Sequence, residues 1–443
     1  MIIKKRGTFM IKASVVTLGC RVNQYESDAI MQELSKNGVT ICDADEICDI
    51  YVINTCSVTA QSDKKSRQII RRCIAKNNDA VVIVTGCFSQ INPNGALSIK
   101  GVDFVCGNNS KSTIAKKAIE LYHERKAPHS YLPDIYNCSF DTMQVGAPLT
   151  RTRAFIKIQD GCESKCAYCI IPFARGNVRS NPAVNVINEV KNIVSQGCCE
   201  VVLTGIETAS YGKDFKNGYG LTDLLREINE IKGLKRIRLG SLDPVSINKD
   251  FVDVVKGLDK VMPHFHISMQ SGCSRILALM KRKYNIDMAK KNLDYLRECI
   301  PGVKLSCDVI VGFPSESNED FEITRQFFLN EKFLHMHIFP YSKREGTVAY
   351  SMPNQVPEQV KKERLYALQE VERICKSEIF EEIVSAKNDV EVLFETLENG
   401  FACGHTRDFV EVKVKSDIDL GGKILKVTPI SFDDNYIYGK TKD

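Results

Sequence analysis

From about residue 12 to residue 125, short apolar runs rich in β-branched residues alternate with longer polar stretches whose apolar positions recur at helical spacing. ASVVTL (13–18), DIYVIN (49–54), AVVIVT (80–85) and VDFVC (102–106) read as strands, each followed by a helix-compatible stretch such as NQYESDAIMQELSKNG. Strands alternating with helices call for a parallel sheet wrapped by helices. Residues 127–150 lose this periodicity and collect proline, glycine and small polar residues, which predicts a linker or crossing segment. From 151 to about 342 the alternation resumes, with AFIKIQ, CEVVLTG, KRIRLGS, HFHISMQ, KLSCDVIVG and LHMHIFP as strands. Six such units cannot close an eight-fold barrel, so an open (β/α)6 partial barrel is expected, with its site at the C-terminal strand ends. Residues 358–384 are charged, lack glycine and proline, and predict one long helix. The remainder alternates in short runs broken by NG, GH and GG, as in a small β-barrel.

The fold class is therefore α/β: an N-terminal domain that resembles flavodoxin-like folds, a partial (β/α)6 barrel and a small C-terminal β-barrel. At 443 residues the chain exceeds the size at which one hydrophobic core stops growing, in keeping with several domains. Hydrophobic residues make up 43% and no apolar run reaches membrane-span length, so no membrane partner is expected. The opening MIIKKRGTFMIK lacks the apolar stretch of a secretory signal, which makes the cytoplasm the expected location. A net charge of +5 is compatible with a polyanionic partner but does not demand one.

Eighteen cysteines change the picture, because cytosolic thiols stay reduced and some are then free for metal ligation or catalysis. Unpatterned ones such as Cys42, Cys73, Cys106, Cys299 and Cys375 read as small buried hydrophobes. In GCESKCAYC, Cys162, Cys166 and Cys169 follow the first barrel strand with C-x3-C-x2-C spacing. Three thiolates on a four-iron cubane leave one iron open to an exogenous ligand, whereas structural zinc prefers four closed ligands. Cys20 in TLGC, Cys56 in INTC and Cys87 in VTGC form a second triplet, each at the end of a predicted strand. Such ends share one edge of a parallel sheet, so these cysteines can converge on one object. Chance placement is the alternative for either triplet.

The first triplet, with an aromatic residue before its last cysteine, resembles the radical S-adenosylmethionine (SAM) superfamily. That resemblance implies a [4Fe–4S] cluster whose open iron chelates SAM and delivers an electron to it. Supporting segments are LTGIE (203–207), RLGSLDP (238–244), SMQSG (268–272) and DVIVGFP (308–314). They imply Gly205 and Glu207 near the SAM amino group, Ser241 among the cofactor contacts, Gln270 and Ser271 near the ribose, and Tyr168 and Val311 near the adenine.

Both triplets together resemble the methylthiotransferase family over nearly the whole chain. TLGCRVNQYESDAI, INTCSVTAQSDKKSRQIIRR, GCESKCAYCIIPFARGNVRS, MQSGCSRILALMKRKY and FPYSKREGTVAY are similar to the branch that acts on N6-threonylcarbamoyladenosine at tRNA position 37. Sibling branches act on isopentenyladenosine in tRNA or on a ribosomal-protein aspartate, and a non-catalytic metal-binding RNA-binding protein is the rival from another class. The resemblance implies two [4Fe–4S] clusters, SAM, a tRNA partner and an electron donor of the reductase, flavodoxin or ferredoxin kind. The corresponding domains are an auxiliary-cluster domain at 12–126, a radical SAM domain at 148–375 and a TRAM RNA-binding domain at 376–443. Glu207, Gly240 and Leu242 depart from the branch's usual wording.

For RNA, KKSRQIIRRCIAK (64–76) places Arg67, Arg71 and Arg72 on a helix beside Cys56, and GHTRDFVEVKV (404–414) offers Arg407, Phe409 and Lys413. A solvated helix face is the plainer reading of the first segment. His264, His266, His335 and His337 lie two apart on strands, so each pair shares a face, and packing in or lining the barrel is expected before metal ligation. GNNSKST (107–113) is not a phosphate loop, since it lacks the second glycine before the lysine.

Overall fold

The computed structural model describes residues 10–146 and 152–442; the predicted domain start at 148 lies outside the described residues. Two compact units form. The first holds the chain up to Gly146 with Gln159–Ser164 and Cys169–Asn181; the second holds the rest, including Lys165–Tyr168 and Pro182 onward.

In the first unit, β1 (Lys12–Thr17), β2 (Thr40–Ile41), β3 (Ile50–Thr55), β4 (Val81–Gly86), β5 (Phe104–Cys106) and β6 (His129–Tyr131) build one parallel sheet. Its order is β2-β1-β3-β4-β5-β6, the flavodoxin-like order with one strand added. β3 and β4 are buried at every position, which requires helices on both faces and explains their unbroken apolar sequences. The four predicted strands are β1, β3, β4 and β5. β6 instead lies within the stretch expected to be a linker, and HSY carries no apolar run that would have marked it. The segment after it is irregular yet anchored: Tyr25 Oη donates to the Met143 carbonyl at 2.7 Å, and Ile135, Met143 and Val145 are buried. A short antiparallel pair, β8 (Gln159–Asp160) with β9 (Arg179–Ser180), also belongs to this unit.

In the second unit, β7 (Arg153–Lys157), β10 (Glu200–Thr204) and β11 (Arg236–Leu239) form one parallel sheet, and β12 (His264–Gln270), β13 (Lys304–Val311) and β14 (His335–Pro340) another. Bridges Ile237 to Val261 and Leu242 to Ile267 join them, giving the six-stranded open arc read from the sequence. Side chains alternate, so that Phe265, Ile267, Met269, Leu305, Cys307 and Val309 enter the apolar core, while the intervening residues line the opposite face.

The helix Glu358–Ala386 runs unbroken across residue 376, where the sequence divides the last two domains, and leads into a closed barrel of β15 (Val390–Glu398), β16 (Phe401–Thr406), β17 (Glu411–Lys415), β18 (Ile424–Phe432) and β19 (Ile437–Thr441). Val392, Phe394, Val412, Val414, Val427 and Ile437 fill it, with Phe380 of the long helix against them. The turn between β16 and β17 docks on the larger arc. Phe409 stacks between His264 and His405 at centroid distances of 4.7 and 4.5 Å, with the Arg238 and Arg153 guanidinium groups 4.8 and 5.3 Å from its ring. Arg238 also donates to the carbonyls of Thr406 and Arg407 at 2.9 and 3.1 Å. Among the described residues, no helix is long and apolar enough to cross a membrane.

Candidate functional site

The first unit gathers Cys20, Cys56 and Cys87 at the C-terminal edge of its sheet, just beyond β1, β3 and β4. Between β1 and β3 the strand order reverses direction, the position at which doubly wound sheets bind ligands. Gly19 and Gly86, which precede two of these cysteines, both adopt φ +98°. A Cβ on Gly86 would meet the Thr55 carbonyl oxygen at 2.3 Å, and one on Gly19 would meet Cys56 Sγ at 2.9 Å. The Gly-Cys pairs are therefore a packing requirement: only glycine lets the three strand ends close on one another.

Burial and neighbouring sulfur act on two of these thiols. Desolvation raises the Cys56 pKa to about 11, with further upward pushes from Cys87 and Cys20. Cys20 is raised as well, first by desolvation and then by Cys87, while Arg175 pulls the other way. Three thiols gathered at adjacent strand ends are a fitting donor set for a thiophilic cationic centre. Asn108 extends its Nδ2 to Cys87 Sγ at 3.7 Å and to the Ala174 carbonyl at 2.8 Å.

Behind these cysteines lies a buried charge network that the sequence reading missed. Arg175 donates to Glu26 at 2.6 Å, to Asp160 at 3.1 Å and to Asn23 at 2.5 Å, all inside the first unit. Lys111 pairs with Glu26 and donates to Asn54 Oδ1 at 3.1 Å. Desolvation lowers the Lys111 pKa, with Glu26 opposing the shift. The available signals were Lys111 inside GNNSKST, set aside as a failed phosphate loop, and Glu26 inside RVNQYES.

The loop from β8 to the helix Ile171–Arg175 carries Cys162, Cys166 and Cys169, all half-buried. Gly161 precedes Cys162 at φ +76°, and a Cβ there would overlap the Asn177 carbonyl oxygen at 1.8 Å. The Cys162 backbone N–H donates to the Gly176 carbonyl at 3.0 Å, and Cys162 Sγ accepts from the Ser164 N–H at 3.4 Å. Cys166 belongs to the second unit. There Arg282 donates to its Sγ at 3.3 Å, pairs with Asp243 after β11, and donates to the Ser268 carbonyl of β12 at 3.2 Å. Ala167 is held between Met280 and Ala349 by backbone bonds of 2.9 and 2.8 Å.

Gly205, Glu207, Ser241, Gln270, Ser271 and Val311 all fall at or just past the C-terminal ends of the arc's strands. Gln270 has φ +62°, and β12 shifts register between Ile267 and Gln270, so the backbone is bent there. The Ser271 hydroxyl is buried, shares a hydrogen bond with Thr324 at 3.2 Å and accepts from the Cys273 N–H at 3.1 Å. The Val311 side chain belongs to the apolar core, and its carbonyl accepts from the Tyr341 N–H at 2.8 Å. Tyr168 meets Phe313 edge-on at 6.5 Å. A Cβ on Gly240 would lie 2.9 Å from Thr208 Oγ1, so the departure at this position matches its crowding.

The predicted RNA contacts fall in both units, Arg67, Arg71 and Arg72 in the first and Arg407, Phe409 and Lys413 in the second. Arg71 and Arg72 are exposed on the helix Ala60–Lys76, but Arg72 pairs with Asp45 and Arg67 lies over the Phe88 ring at 5.6 Å. Arg407 is exposed and donates to the Asp259 carbonyl at 3.0 Å, while Lys413 sits over the Tyr436 ring at 3.6 Å. Phe409 is occupied in docking the small barrel.

Two family models match: Uncharacterized protein family UPF0004 over residues 12–107 and the Radical SAM superfamily over 156–328. A threonylcarbamoyladenosine tRNA methylthiotransferase of Bacillus subtilis is 40% identical over 93% of this chain and 92% of its own. The chain belongs to the radical SAM methylthiotransferase family. A second methylthiotransferase of that description, from Aquifex aeolicus, is 38% identical over 84% of this chain and 90% of its own. A tRNA-2-methylthio-N(6)-dimethylallyladenosine synthase of Moorella thermoacetica is 34% identical over 96% of both chains. In fold, the radical SAM methyltransferase TsrM of Kitasatospora setae superposes with a TM-score of 0.57 at 15% identity, over 77% of each chain. Radical SAM methylthiotransferases are enzymes, and membership implies SAM and a [4Fe–4S] cluster here.

Proposed function

We propose that this methylthiotransferase converts N6-threonylcarbamoyladenosine at position 37 of tRNA to its 2-methylthio derivative. The 40% identity to a methylthiotransferase named for that nucleoside, spanning nearly both chains, supports the substrate. Cys162, Cys166 and Cys169 would hold the cluster that binds SAM, and Cys20, Cys56 and Cys87 a second [4Fe–4S] cluster. The meeting of three thiols from three strand ends carries the two-cluster reading. When bound, the SAM-linked cluster supplies the reductive cleavage that yields a carbon radical.

The chain's own residues then bind and orient. Gly205, Glu207, Ser241, Gln270, Ser271, Tyr168 and the Val311 backbone would form the SAM cradle, Arg282 would position Cys166, and Asn108 would support Cys87. Arg71, Arg407 and Lys413 would meet RNA phosphates, and the small C-terminal barrel serves as a TRAM-type RNA-binding domain. We place the protein in the cytoplasm, reduced by a flavodoxin- or ferredoxin-class donor.

The 34% identical dimethylallyladenosine synthase favours a second reading, in which the substrate carries an apolar N6 substituent. Nucleoside analysis of tRNA from a deletion strain separates the two. Loss of 2-methylthio-N6-threonylcarbamoyladenosine supports the proposal, and its persistence contradicts it.

A further inference from the structure

On β12, β13 and β14 the face opposite the core carries His266, Asp308 and His337. His266 Nε2 lies 3.1 Å from Asp308 Oδ1, and His337 Nδ1 lies 3.3 Å from the same oxygen. The two imidazole rings are 5.1 Å apart, and 58% of the His337 side chain is exposed. A staple for the sheet is the plain reading of such a trio. Yet these strands are already joined by parallel ladders, interrupted only where β12 shifts register between Ile267 and Gln270, and one member of the trio is largely exposed. Burial works against the Asp308 charge, but hydrogen bonds from His266 and His337 outweigh it and hold the carboxyl below its usual range. The patch therefore presents an ionised acceptor flanked by imidazoles.

Its location is informative. Arg282, which donates to Cys166 Sγ, also donates to the Ser268 carbonyl, two residues along β12 from His266. Two residues of parallel strand span about 7 Å. The trio thus lies one short step deeper than the residues that position a cluster ligand.

We infer that His266, Asp308 and His337 form a specificity patch that reads a polar, hydrogen-bonding substituent on the substrate base. The inference rests on the reading that the substrate is N6-threonylcarbamoyladenosine, whose substituent bears urea-like N–H groups, a hydroxyl and a carboxylate. Asp308 accepts from the N–H or hydroxyl groups, and the imidazoles supply donors. A dimethylallyl group offers none of these partners and would strip water from Asp308 without replacing its hydrogen bonds. Sites built to hydrogen-bond a substrate group discriminate strongly against analogues that lack it.

The test uses full-length enzyme with both clusters reconstituted, in wild-type, His337→Gln, His337→Ala and Asp308→Asn forms. Each is assayed on tRNA bearing threonylcarbamoyladenosine and on tRNA bearing dimethylallyladenosine, with substrate-free 5′-deoxyadenosine release measured alongside. Loss of one hydrogen-bond partner of the bound substituent should lower kcat/KM on the first tRNA by roughly ten- to a hundred-fold. The preference ratio between the two tRNAs should fall by a similar factor, while 5′-deoxyadenosine release stays at the wild-type level. An unchanged ratio in the well-folded His337 variants overturns the inference and leaves the substrate reading standing. So does a stoichiometric non-iron metal that these substitutions release. Wild-type enzyme that turns over only the dimethylallyl substrate removes both.

Discussion

A Cβ placed on Gly19 would lie 2.8 Å from the Cβ of Cys56, although the two residues end different strands of the sheet. That closeness makes Gly19 part of the cysteine site without contributing a ligand. Gly19→Ala must also bear an alanine at φ +98°, a strain that costs more than about 1 kcal/mol. We expect the variant to lose the iron of the Cys20, Cys56 and Cys87 site and keep that of the other. Iron analysis after anaerobic reconstitution should then give about four atoms per chain, one cubane's worth.

Lys111 and Glu26 have no exposed side-chain surface, and Arg175 shares the same carboxylate. Removing one member of a buried pair strands its partner's charge at about 3–5 kcal/mol. Lys111→Met should lower the unfolding free energy by less than that full amount in denaturant titration, because Arg175 still pairs with Glu26. Adding Glu26→Gln should return little of it, because Arg175 then keeps only one of its two carboxylate partners, Asp160.

Arg282 hydrogen-bonds Cys166 Sγ, and donors to a ligating thiolate stabilise the reduced cluster. Arg282→Gln should still assemble the cluster but shift its reduction potential to more negative values. Potentiometric titration followed by electron paramagnetic resonance reads this directly, and an unmoved potential would exclude the contact as a tuning element.

His405 accompanies Phe409 where the small barrel docks. Desolvation lowers its pKa, but hydrogen bonds to Glu395 at 2.7 Å and to Glu411 outweigh this, so the net shift is upward. A raised histidine pKa means the folded state holds the proton more tightly. The resulting stabilisation is complete below the unfolded-state pKa and disappears as pH rises through the folded one. The denaturation midpoint should therefore fall across that interval in wild type, and the fall should shrink in His405→Gln.

Much of this architecture was legible because period and punctuation agreed. β3 and β4 are unbroken apolar runs, and each of the six strands of the arc ends in a loop with turn chemistry. β6 was missed because a three-residue edge strand has no period to detect. Strand ends and local spacing mark the six cysteines in the sequence, and in the structure three of them follow strand ends of one sheet while three share one loop. Lys111, Glu26, Arg175 and Asn108 are not so marked, since their partnerships join distant segments and no local pattern records them. Phe409 shows the opposite failure: an aromatic residue on a small barrel looks available to RNA, but only tertiary contact reveals that its ring is already stacked.

Iron content and electron paramagnetic resonance of two triple variants test the two-cluster assignment most directly. Wild type reconstituted without oxygen should bind about eight irons per chain, and Cys20→Ala/Cys56→Ala/Cys87→Ala and Cys162→Ala/Cys166→Ala/Cys169→Ala about four each. The first variant should cleave SAM without forming methylthiolated tRNA, and the second should do neither. Wild type with only about four irons, or full iron in either variant, would contradict the assignment.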